Sequence, residues 1–156
     1  MLSATMTLLR TLALVCVAAW LGIMAFFSFA VAPVVFRAID RAVAGQAVAA
    51  VLPRYYAWGV VLTAIALFAT LLQLIAGTDG RVRPLIGAAL GSAMLGTLLW
   101  ASVVLLPRAE DARRARDDVA FAGAHRASVR LNVVTLVAAV AFVGLDGVSR
   151  WRERGR

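Results

Sequence analysis

The chain has 156 residues, 63% of them hydrophobic and 15% charged. An average soluble domain is about 45–50% apolar and about 25% charged, so there is too little charge here to cover a globular surface, and a soluble enzyme domain is excluded. The net charge of +8 comes from sixteen basic residues, all of them Arg, against eight acidic ones. These Arg residues lie between long uncharged runs rather than on the face of a soluble fold, so nucleic acid is not an expected partner.

Four uncharged windows organise the chain, at residues 11–36, 55–78, 84–107 and 131–145. A bilayer core of about 30 Å takes about 20 helical residues, so the first three windows each cross it. The fourth crosses by taking in Arg130 at one end and residues 146–148 at the other, whose polar groups reach the headgroups. The expected fold class is therefore all-α: an integral membrane four-helix bundle, one transmembrane domain over residues 1–156, with spans at about 11–36, 55–77, 84–107 and 127–148. Arg10 before the first window and Ala30-Val31-Ala32 before Pro33 have the look of a secretory signal. The apolar run exceeds the roughly 7–15 residues of a signal core, so the segment is expected to stay as the first span.

The connections differ in kind. Residues 37–54 carry Arg37, Asp40, Arg41 and Gln46 among Ala and Val, which suits a short amphipathic helix lying on the membrane surface between spans one and two. Pro53 is then expected to open the second span, with Tyr55, Tyr56 and Trp58 as an interfacial aromatic belt. Gly77-Thr78-Asp79-Gly80 predicts a tight turn joining spans two and three as an antiparallel hairpin. Between spans three and four, Glu110/Arg114, Arg113/Asp117 and Arg114/Asp118 are four apart, and no Gly or Pro occurs from Ala109 to Phe121. The fourth helix is accordingly expected to begin outside the membrane and enter it as a long rod.

Charge does not orient the protein. One side receives Arg10, Arg81, Arg83, Arg150, Arg152, Arg154 and Arg156, and the other receives Arg37, Arg41, Arg54, Arg108, Arg113, Arg114, Arg116, Arg126 and Arg130. Once Arg126 and Arg130 are set aside as lying where the fourth span meets the membrane, the two sides are equal and the positive-inside rule has no majority to act on. The compact C-terminal Arg cluster favours a cell-membrane (inner-membrane) protein with both termini in the cytoplasm.

Helix three offers a packing signal. Gly87 and Gly91, extended by Gly96, form a small-residue stripe that lets another helix approach closely, either in a second copy of the chain or in the same bundle. The most informative polar group gathers at one membrane face: Arg37, Arg54, Tyr55, His125, Arg126, Ser128, Arg130 and Asn132. His125, Ser128 and Asn132 share one helical face, with Arg126 and Arg130 on the adjoining one. Such a cluster can receive an anionic lipid headgroup or solute; the plainer alternative is anchoring at the interface. Cys16 and His125 are the sole Cys and His. A disulfide framework or thiolate metal cluster is thus out of reach, and neither metal nor cofactor is expected.

The first span reads Gly22-Ile23-Met24-Ala25-Phe26-Phe27-Ser28-Phe29-Ala30-Val31-Ala32-Pro33-Val34-Val35-Phe36-Arg37. Ala44-Gly45-Gln46-Ala47, Leu52-Pro53-Arg54-Tyr55-Tyr56 and His125-Arg126-Ala127-Ser128-Val129-Arg130-Leu131-Asn132 follow. Together these segments resemble the bacterial four-helix membrane family of unknown function related to eukaryotic transmembrane protein 205. That resemblance implies four transmembrane helices and no established chemistry. Trp20-Leu21-Gly22 with Phe27, Pro33 and Phe36 is also similar to the first helix of the copper-resistance D and bacterial protoporphyrinogen oxidase membrane proteins. Where the oxidase has a His beyond that helix, this chain has Arg37-Ala38-Ile39-Asp40.

Two functional classes follow. The favoured one is a non-enzymatic small membrane component or accessory subunit, whose partners are the lipid bilayer and either further copies or a larger membrane complex. The other is a carrier or binding protein for an anionic solute or lipid at the Arg/His/Asn cluster. The absence of an intramembrane carboxylate and of an inverted repeat counts against coupled transport, since the nearest acidic residue, Asp146, is read as lying at a helix end.

Overall fold

The structure, a computed structural model, describes residues 2–77 and 80–154, with side chains over 4–77 and 80–147. Thr78 and Asp79 of the expected turn and the side chains of the C-terminal Arg cluster lie outside the described residues. Every described element is helical: α1 Leu2–Phe26, a π-helical segment Phe27–Val31, α2 Ala32–Ala38, α3 Arg41–Ala76, α4 Val82–Trp100, a second π segment Ala101–Leu105, α5 Leu106–Arg114 and α6 Asp118–Arg154. Four stretches, Ala4–Ala38, Arg41–Ala76, Val82–Arg114 and Asp118–Gly147, are long and apolar enough to cross a membrane. In hydrocarbon each backbone N–H and C=O must be satisfied within its own segment, which is why the apolar windows fold as helices. Helix packs on helix around a ring in which the first two stretches, the second and third, and the third and fourth are neighbours, and the fourth closes on α1.

The helices overrun the apolar windows, and this corrects two expectations. No separate surface helix lies between spans one and two. The chain breaks at Ile39, Asp40 caps α3 by accepting from the Ala42 N–H (2.8 Å), and residues 41–54 are simply the first turns of a 36-residue helix. Pro53 therefore sits inside that helix rather than opening it. Its missing N–H forfeits one hydrogen bond, which a helix of about 55 Å absorbs. Likewise, the long rod does not start at Ala109. Residues 109–114 finish α5, the chain reverses at Arg116 (φ 56°), and Asp117 caps α6 through the N–H groups of Val119 (3.1 Å) and Ala120 (2.9 Å). This break divides Arg113 from Asp117 and Arg114 from Asp118; Glu110 and Arg114, both within α5, form the ion pair expected of them.

The two π segments have a common cause. Each is centred four residues before a proline, Phe29 before Pro33 and Val103 before Pro107, where the pyrrolidine ring would collide with the backbone carbonyl of a regular helix. Widening the turn relieves that collision without a sharp kink. The same offset that separates these prolines also pairs Ala19 with Ala93, Leu21 with Leu95, Gly22 with Gly96 and Ser28 with Ser102. In each half a proline-widened helix is followed by a short break, an Asp cap and a second long helix. The chain thus forms two helical hairpins of the same pattern, running in the same sense across the bundle.

Large side chains fill the centre where small ones make room. Trp20, Met24, Met94 and Leu98 are fully buried, packed with Ala66, Ala69 and Ala139. A Cβ on Gly59 would stand 2.7 Å from Trp20 Cζ2, so only glycine admits the indole there. Gly87 lies against Thr70 and Phe142, and Gly91 against Leu67, so both belong to a seam inside the bundle. Gly96 is not part of that seam: a Cβ there would meet nothing within 4 Å.

Candidate functional site

Toward the end of the bundle that carries α2, α5 and the first halves of α3 and α6, the helices line a half-open cavity of about 1350 Å³. Its wall is mostly apolar, with Met24, Phe27, Phe29, Pro33, Phe36 and Leu52 on the first two helices and Leu106, Val129, Val133 and Leu136 on the others. Polar groups enter at two levels. Deep in the cavity, the Tyr55 hydroxyl donates to Asn132 Oδ1 (3.0 Å), and Asn132 Nδ2 donates to Ser28 Oγ (3.5 Å), joining three helices in one chain of hydrogen bonds. Tyr55 is held by aromatic neighbours, with ring centroids 4.8 Å from Trp20, 4.9 Å from Phe27 and 5.4 Å from Tyr56. Nearer the membrane face stand Arg41, Gln46, Glu110, Arg113 and His125. Arg113 Nη1 donates to the Gly45 carbonyl (3.4 Å), and the His125 ring stacks on Phe121 at 6.1 Å and 9°.

Of the residues read from sequence as one polar cluster, the structure brings Tyr55, His125, Ser128 and Asn132 to this cavity. Ser128 Oγ donates to the Ala124 carbonyl of its own helix (3.1 Å). Arg37, Arg54, Arg126 and Arg130 are exposed and do not border the cavity. Its guanidinium groups come instead from Arg41 and Arg113, which sequence reasoning assigned only to connecting segments. The helix phase explains the exchange: Arg126 lies about 100° around the helix from His125. Arg41 gains its place because α3 begins there.

A second polar group was not foreseen. Asp146 lies inside α6, with its side chain 3% exposed, and not at a helix end. Its Oδ1 accepts from Arg10 Nε (2.6 Å) and Arg83 Nη1 (3.3 Å), and its backbone carbonyl accepts from Arg10 Nη2 (3.4 Å). Arg83 Nη2 also donates to Gln73 Oε1, while Gln73 Nε2 donates to the Ala69 carbonyl (3.1 Å). The carboxylate joins three helices directly, and the Arg83–Gln73 bond brings α3 into the same network at the end opposite the cavity. Among the described residues, no three of His, Cys, Asp and Glu gather as a metal would require.

Residues 15–118 match the profile of a domain of unknown function, DUF4149. The chain belongs to this family. The match covers most of the first three helices, including Phe27, Ser28, Tyr55 and Arg113 of the cavity, and ends where α6 begins. An uncharacterized protein of Aquifex aeolicus (strain VF5) is 30% identical over 126 residues, covering 81% of this chain and 87% of the relative. No solved structure matches.

Proposed function

We propose that this DUF4149 protein is a non-catalytic membrane protein that binds an amphiphile in the cavity between its two hairpins. The cavity is the observation that carries the reading. At about 1350 Å³ it exceeds the roughly 300–1000 Å³ of ordinary small-molecule pockets, and it couples an apolar wall to a few polar groups at one end. Its deep polar groups, Tyr55, Asn132 and Ser28, are engaged with one another, an arrangement that suits shaping a site better than proton transfer. The accessory-subunit reading loses one of its supports because Gly87 and Gly91 face inward. When the chain is isolated from membranes in mild detergent, native mass spectrometry is expected to find a bound amphiphile. Ala49→Trp, which fills the cavity from α3, is expected to lose it. Wild-type chains free of any such molecule, or a filled variant that keeps it, would refute the reading.

We also propose an inner-membrane location with both termini in the cytoplasm, supported by the compact Arg150–Arg156 cluster. Labelling of the C-terminus from outside intact cells would sink that orientation. Kinship with eukaryotic transmembrane protein 205 is likewise a proposal, resting on the quoted motifs alone.

A further inference from the structure

The cavity has a side opening. α1 packs along α6, but beyond the π segment α2 turns to α3 and makes no substantial packing on α6. The first and fourth helices therefore part at one end. Phe29 and Phe36 border the gap on one side and Val129 and Val133 on the other. All four line the cavity and yet are 73%, 44%, 48% and 52% exposed. Phe29 and Val133 lie inside the uncharged windows of residues 11–36 and 131–145, while Phe36 and Val129 adjoin Arg37 and Arg130, so the gap runs from the membrane face to the level of lipid chains. An apolar slot at that depth is open to the bilayer itself.

The head of the cavity carries a positive bias. Arg41 and Gly45 are one turn apart on α3, and Arg113 Nη1 is 3.4 Å from the Gly45 carbonyl, so the two Arg residues border the same stretch of the wall. Glu110, the acidic residue bordering the cavity, is engaged by Arg114. Guanidinium groups suit phosphate oxygens through their fork of donors, and an acyl chain suits the apolar remainder.

Building on the cavity reading, we propose that the occupant is a phosphate-bearing anionic membrane lipid, loaded sideways from one leaflet through the slot between α2 and the first half of α6. Arg41 and Arg113 hold the headgroup, and the Tyr55–Asn132–Ser28 chain closes the far end around the hydrocarbon.

The full-length chain, reconstituted in phosphatidylcholine nanodiscs with a minor share of phosphatidylglycerol, is extracted gently and weighed by native mass spectrometry. Phosphatidylglycerol is expected to be retained in preference to phosphatidylcholine. The R41Q/R113Q variant is expected to lower that retention by about a hundredfold, about tenfold for each guanidinium lost. The single variants carry the same test if the double variant does not fold. R37Q/R54Q makes the same change of charge on the same face but outside the cavity, and is expected to retain lipid as wild type does. V129W/V133W narrows the slot and is expected to slow lipid exchange at least severalfold, about the effect of one lost kcal/mol.

Equal retention of the two lipids, or no effect of R41Q/R113Q, overturns the anionic headgroup while the cavity reading stands. In phosphatidylcholine nanodiscs with inorganic phosphate, capture of phosphate without lipid overturns the lipid assignment. Unchanged exchange in V129W/V133W overturns the sideways path. Absence of any retained amphiphile overturns the cavity reading itself.

Discussion

Replacing Gly59 by Ala tests how the bundle centre supports the cavity. By helix propensity alone the change should stabilise α3 by about 1 kcal/mol. Packing gives the opposite sign. The new Cβ would lie 2.7 Å and 2.8 Å from Trp20 Cζ2 and Cη2, whereas carbon atoms rest about 3.5–4.0 Å apart, so the indole must retreat by nearly 1 Å. Retreat must displace its neighbours: Trp20 is 0% exposed, and its ring rests on Tyr55, which is itself backed by Phe27 and bonded to Asn132. Overpacking of this kind costs about 1–3 kcal/mol, and a rigid ring against backbone belongs at the upper end, leaving a net loss of about 2 kcal/mol. Unfolding of the purified chain in mixed micelles would measure it. Trp20→Phe should rescue the variant, since the smaller ring clears the Cβ and the indole Nε1 has no hydrogen-bond partner to lose. A double-mutant cycle should return a coupling of about 1–2 kcal/mol. Gly22→Ala, whose Cβ meets nothing within 4 Å, serves as the open-space comparison. A Gly59→Ala chain as stable as wild type, or an additive cycle, would refute the reasoning.

Three other outcomes are expected. Asp146→Ala removes the carboxylate shared by Arg10 and Arg83 and should lower stability in the same unfolding assay by about 3–5 kcal/mol, with Asp146→Asn losing less because one acceptor survives. Gly91→Leu should drive α4 away from Leu67 and lower the melting temperature, while Gly96→Leu should be tolerated; equal effects of the two would contradict the inward placement of the seam. Arg116→Gly should stabilise the chain by up to about 1 kcal/mol, because the left-handed φ of 56° at the α5–α6 turn strains any residue with a Cβ, and a lower melting temperature would count against that account.

Hydrophobic length made the four spans legible, because a bilayer demands long uncharged helices and little else in the chain supplies them. Helix ends were less legible. Around residues 41–54, polar side chains read as a surface helix, yet nothing stops α3 from starting at the Asp40 cap and running on through Pro53. At Arg116, a non-glycine residue takes the position where glycine would have announced the break. The site was half legible: His125, Ser128 and Asn132 share a helical face that turns to the cavity, but the Arg residues chosen with them were selected by depth, and depth does not fix the side of the helix from which a side chain projects. Asp146 was missed because it was judged against the end of an apolar window, whereas α6 continues past it and buries it against two other helices. The hairpin pattern leaves a trace in the sequence at Pro33 and Pro107, but as a same-sense pattern it is invisible to the test for an inverted one.

That pattern explains why the cavity opens on one side. Both hairpins carry the same device, a proline with a π segment before it, so both first helices could swing away from their neighbours at this end. They do not behave alike. In the second hairpin α5 folds back onto α6 and buries Ala112 between them, holding the third and fourth helices together. In the first hairpin α2 packs on α3 in the corresponding way, and the difference lies in the π segments: Ala101–Leu105 packs on both α3 and α6, whereas Phe27–Val31 packs substantially on neither. At the opposite end no such freedom exists, since Arg10, Gln73, Arg83 and Asp146 bind one helix each into a single network. A two-hairpin scaffold pinned by charge at one end and relaxed by proline at the other can separate only where its hairpins differ, between the first helix and the fourth. Loosening the pinned end should therefore change the cavity from a distance: Asp146→Asn is expected to alter the rate at which lipid exchanges through the slot even though it touches neither Arg41 nor Arg113, and exchange at the wild-type rate in that variant would mean that the two ends act independently.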